Sequence, residues 1–128
     1  MNDSLYPKPT KALADKRRDL APDAEAAFRA FSKAVFQDGA LPRKTKQLIA
    51  VAAAHVTQCP YCIQGHTKAA AREGATPQEI MEAIWVAAEM RAGGAYAHSA
   101  IALATLDEHA AHGQGAPGQP EPKPPAAQ

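Results

Sequence analysis

Apolar residues return at helical rather than strand spacing along most of this chain. Phe28, Phe31 and Val35 fall at i, i+3 and i+7, the stripe of an amphipathic helix that opens at Pro22 and is closed by Asp38-Gly39. Asp23 and Glu25 stand near its positive end, where acidic side chains are favoured. Pro42 suits the first residue of a second helix, reaching about Gln58, with Leu48, Val51, Ala52, His55 and Val56 on its buried face. Arg43, Lys44 and Lys46 crowd that helix start, an arrangement unfavourable by roughly a few tenths of a kcal/mol per cation. Solvation of the charges is preferred there to an anionic partner.

Pro60 cannot continue the second helix, because it has no N–H and pushes Cys59 out of helical geometry. It fits the first turn of a third helix, to about Glu73, with Gly74 as a left-handed stop. Thr76-Pro77-Gln78-Glu79 then reads as a capping box, the sharpest boundary in the chain. The helix it opens carries Ile80, Ala83, Ile84, Ala87 and Met90 on one face and is expected to end at Gly93-Gly94. A fifth helix, from about Ala95 to His109, shows Ile101, Ala102 and Leu106 at helical spacing. The reading is therefore an all-α, single-domain bundle of about five helices over residues 20–112. A polar, basic arm (1–19) precedes it, solvated or docked on a neighbouring subunit. A disordered Pro/Gly-rich tail (113–128), with five prolines and three glycines, follows. No internal repeat is visible.

Composition adds a constraint. The 128 residues include 31 alanines but only seven aromatics, so close-packed helices form a core that buries little area per residue. Neighbouring subunits are expected to complete it. A net charge of +1 provides no clustered basic face for nucleic acid. No 18-residue apolar run exists to span a membrane, and Met1-Asn2-Asp3-Ser4 leads into a charged segment rather than a signal-peptide core. A cytoplasmic location is the expectation. In that compartment a cysteine pair three residues apart is more often redox-active or metal-bound than a structural staple.

Both cysteines lie in Cys59-Pro60-Tyr61-Cys62-Ile63-Gln64-Gly65-His66. With Pro60 at the first helical position, Cys59 becomes the N-cap and Cys62 falls in the first turn. Free N–H groups and the positive end of the dipole then favour thiolate over thiol. His66 follows Cys62 by four residues, on the same helix face, where it can take the thiol proton or stabilise the thiolate. The competing reading is a zinc module built from His55, Cys59, Cys62 and His66, four ligands of suitable type. Two buried inert thiols, or a non-catalytic helical oligomer, are the blander alternatives. His55 is either a satisfied core histidine or an accessory relay residue. His98, after Gly93-Gly94, is a pocket candidate, and His109 and His112 read as solvated. Trp85 and Met90 read as core or subunit contacts.

Three segments carry a family resemblance: Lys44-Thr45-Lys46-Gln47-Leu48-Ile49-Ala50, Cys59-Pro60-Tyr61-Cys62 with His66, and Gly74-Ala75-Thr76-Pro77-Gln78-Glu79-Ile80. Over about residues 22–108 the chain resembles the alkyl hydroperoxidase D branch of the carboxymuconolactone decarboxylase-like family, whose motif is Glu-x11-Cys-x2-Cys-x3-His. The resemblance implies an all-helical trimer or hexamer acting as an antioxidant thiol-dependent hydroperoxide reductase or disulfide oxidoreductase, with no organic cofactor. It casts Cys62 as the peroxidatic thiol, Cys59 as the resolving thiol and His66 as the proton relay, with a dithiol or lipoyl-bearing protein as reductant. The decarboxylase branch lacks the cysteine pair. This chain departs from the motif at Gln47, which stands where the motif has glutamate and cannot serve as a general base. Glu89, His55 or His98 could substitute, or disulfide exchange could dominate. Tyr61, between the cysteines, could lend a hydroxyl.

Overall fold

A computed structural model describes residues 5–113. It contains five helices: α1 (Lys11–Leu20), α2 (Pro22–Val35), α3 (Arg43–Thr57), α4 (Pro60–Arg72) and α5 (Pro77–Ala111). No strand occurs among the described residues. Residues 1–4 and the expected disordered tail, apart from Gly113, lie outside them. Backbone contacts divide the chain into Met1–Glu89 and Met90–Gln128, and α5 runs from the first unit into the second. No helix among the described residues is long and apolar enough to cross a membrane.

The proline and glycine signals act where the sequence puts them. Gln58 takes the left-handed conformation that ends α3 (φ 56°), Pro60 opens α4, and Gly74 (φ 90°) follows the α4 C-cap. The Ala75 N–H then donates back to Ala70 O at 2.9 Å, satisfying a carbonyl at the helix end. At the start of α5 the capping box closes both ways. Thr76 N donates to Glu79 Oε1 at 3.0 Å, and Glu79 N to Thr76 Oγ1 at 3.1 Å.

The arm contains a helix that its sequence pattern does not announce: Thr10 Oγ1 accepts from Leu13 N and caps α1, which packs against α2. One expectation is corrected. Gly93-Gly94 does not end a helix. A glycine stop needs a positive φ, which among the described glycines only Gly74 and Gly113 adopt. The alanine-rich flanks, strong helix formers, carry the backbone through the pair. The total of five helices stands, with α1 gained and the last two fused.

The cations at the start of α3 are employed rather than merely solvated. Lys46 Nζ donates to Val35 O (2.8 Å) and Gln37 O, tying down the end of α2. Arg43 N donates to Asp38 Oδ1 at 2.8 Å, which places an anion at the α3 N-terminus. Lys44 pairs with Glu79 at 2.8 Å. The core of the first unit is small. Val51 of α3 and Ala70 of α4 are fully buried, Ala75 is nearly so, and Leu48, Ile80 and Ile84 pack around them. Small side chains at these positions let α3 and α4 lie close together, which brings the start of α4 and the first half of α3 to one site.

Candidate active site

The site is built on the first two turns of α4. Cys59 is its N-cap, with Sγ accepting from Cys62 N at 3.2 Å, so the chain reversal forced by Pro60 places one cysteine over the helix end and the other in its first turn. The two sulfurs are joined as a disulfide, with Cα atoms 5.3 Å apart. His66, one turn further on, directs Nδ1 at Gln47 Oε1 of α3, 2.8 Å away. With that oxygen accepting, Nδ1 carries the ring proton and Nε2 keeps a free lone pair. Phe36, just past the end of α2, stacks on the imidazole with centroids 5.2 Å apart and planes inclined by 28°. Cys59, Cys62, His66, Gln47 and Phe36 are all half-buried.

Other candidates stand apart from this cluster. His55 donates its Nδ1–H to Val51 O of its own helix, 2.7 Å away, a local backbone bond rather than a link to the sulfurs. Tyr61 turns its hydroxyl to Pro7 O at 2.7 Å, and Tyr6 meets its ring edge-on at 6.1 Å. Glu89 is exposed on α5 without an ion pair among the described residues. His98 lies exposed on the later half of the same helix. No three histidine, cysteine, aspartate or glutamate side chains among the described residues are grouped to hold a metal ion, so His55, Cys59, Cys62 and His66 do not form the four-ligand set of the zinc reading.

The sequence model of the carboxymuconolactone decarboxylase family matches residues 22–105, a span that holds α2 to α4, most of α5 and every residue of the cluster. The chain belongs to the carboxymuconolactone decarboxylase family. An uncharacterized protein of the cox locus of Paracoccus denitrificans is 64% identical over 108 residues, covering 84% of this chain and 96% of the relative. A family protein from Legionella pneumophila, solved in its apo form, is 35% identical with a TM-score of 0.61, over 76% of this chain and 87% of that one. A family protein of Thermotoga maritima, for which a part in the antioxidative response has been raised as a possibility, is 28% identical with a TM-score of 0.53, over 81% and 97% of the two chains.

Within this family fold, sequence spacing alone places Cys59, Cys62 and His66 on one helix start. It gives no sign of Phe36, whose position past the end of α2 becomes relevant only once Lys46 fixes that end beside α3. The tie from Tyr61 to Pro7 is equally silent in sequence, because it joins residues 54 apart through an arm with no strong periodicity.

Proposed function

We propose that this family member is a thiol-dependent hydroperoxide reductase with disulfide oxidoreductase chemistry, of the alkyl hydroperoxidase D type. The observation that carries the reading is the Cys59–Cys62 pair at the start of α4 with an oriented imidazole one turn along. In the reduced protein the Cys62 thiolate attacks the distal oxygen of ROOH. The O–O bond breaks, ROH leaves after taking a proton relayed by His66, and Cys62 becomes a sulfenic acid. Cys59 then attacks that sulfur, water leaves, and the disulfide forms. A dithiol donor, of the lipoyl type in the reading by resemblance, returns two electrons and two protons by exchange. No organic cofactor takes part.

Gln47 qualifies the rate rather than the route. It orients His66 as a carboxylate would, but offers no negative charge to stabilise an imidazolium and no basic site. This observation favours disulfide exchange as the faster half of the cycle. The possible antioxidative role of the Thermotoga protein supports the same class of chemistry. A reducing compartment such as the cytoplasm would keep the pair cycling. We also propose that copies assemble, as a trimer or hexamer, because Phe28, Phe31 and many large apolar residues of α5 are exposed in the single chain.

The test is to mix reduced protein with cumene hydroperoxide and follow thiol loss and alcohol formation. Cys62→Ser should abolish both, Cys59→Ser should stall at the sulfenic acid, and Gln47→Glu should raise turnover. Undiminished peroxide consumption by Cys62→Ser would remove the assignment.

A further inference from the structure

The dithiol chemistry leaves unexplained a groove of about 640 Å³ between the α1 segment and the start of α4. That volume lies within the usual range for small-molecule sites, about 300–1,000 Å³. Leu13 and Leu20 supply apolar lining, Lys8, Lys16 and Arg17 supply cations, and Tyr61 contributes a wall. Tyr61 is the residue between Pro60 and Cys62, and its bond to Pro7 O holds the arm against the helix that carries the sulfurs.

The charges of α1 are divided. Lys11 pairs with Asp15, and Arg18 with Asp15 and Asp19. Lys8, Lys16 and Arg17 make no ion pair with any described residue. Arg17 also borders a smaller cleft beside Glu25, but that carboxylate is already held by Arg29 at 2.8 Å. The groove thus combines apolar lining with unneutralised positive charge. A compact polyanion would gain nothing from the leucines. A bilayer surface would want an apolar face on α1 that is open and broad, whereas this recess is bounded by Tyr61.

We propose that the groove binds a single-chain carboxylic amphiphile free in solution, its chain along Leu13 and Leu20 and its carboxylate among Lys8, Lys16 and Arg17. Resting on the peroxidase reading, this makes the substrate class a carboxylate-bearing alkyl hydroperoxide, drawn to the face of the molecule where Tyr61 adjoins the cysteine pair.

Binding is measured by calorimetry on the full-length protein, both reduced wild type and Cys62→Ser, titrated with decanoate below its micelle concentration. Decanoate should bind both proteins, while decan-1-ol and decyltrimethylammonium should bind much more weakly. Lys16→Ala/Arg17→Ala should weaken decanoate about tenfold or more, the loss expected when charge-assisted contacts go. Lys33→Ala, on α2 outside the groove, should leave it unchanged. Equal affinity for decanol, no effect of the double substitution, no binding of decanoate, or preference for phosphatidylglycerol vesicles over free decanoate would each overturn the proposal. Because Cys62→Ser cannot turn over, the two readings fail separately. Absent binding with intact peroxide reduction removes only the groove, and decanoate binding without peroxide reduction removes only the peroxidase.

Discussion

The α3–α4 pair and the later half of α5 solve the burial problem in opposite ways. Between α3 and α4 the fully buried positions are small, Val51 and Ala70, and the helices approach closely enough for Gln47 to reach His66. Beyond Met90, α5 carries large apolar side chains that are exposed. Tyr96 is 82% exposed, Ile101 63% and Leu103 62%. They are spread around the helix instead of forming one stripe, the pattern of a helix meant to be surrounded. The contrast teaches that the candidate site is organised within one chain, while much of the hydrophobic stabilisation is left to the proposed assembly.

The largest effect should come from attacking the exposed side of that contrast. Ile101→Asp places a charge where the proposed subunit contact needs apolar surface, and light scattering should show the assembly falling to monomer. An unchanged mass would mean the later half of α5 is covered in some other way. The α3–α4 side should respond through stability alone. Val51→Ala deletes two fully buried methyl groups and should cost about 2–3 kcal/mol in denaturant unfolding, with a matching loss in oxidised and reduced protein.

The smallest effect concerns the junction of the two regions. Hydrogen bonds from the Lys44 side chain, and then from the Thr76 backbone N–H, hold the Glu79 carboxyl below the usual carboxylate range. A carboxyl depressed in the folded state stabilises above its unfolded value, and that contribution is lost as pH falls through the folded one. Glu79→Gln should therefore melt lower than wild type at pH 7, and the gap should close in acid. A gap that persists at low pH would show that the capping geometry matters and the charge does not.

The sequence made the inner half of this comparison readable because prolines, glycines and caps mark its boundaries by local rules. Pro60, Gly74 and Thr76-Glu79 each act within four residues, so the cysteine pair and His66 could be placed from spacing. The outer half was misread at Gly93-Gly94 because a glycine pair ends a helix only if the backbone there turns left-handed, and spacing does not reveal that. The helix within the arm is not legible for a related reason. This ten-residue helix rests on a single threonine cap and on packing against α2, neither of which produces a strong stripe. Gln47 was identified as the odd residue of the motif, yet only the structure brings it to within 2.8 Å of the imidazole.

The disulfide spans a sequence separation of 3 and lies within one helix start. Closing so short a loop removes little freedom from the unfolded chain, about 2 kcal/mol by the chain-entropy estimate. It ties no distant elements together. On the proposed reading the bond is therefore an acceptor of two electrons, refilled and emptied at one helix start, rather than a girder.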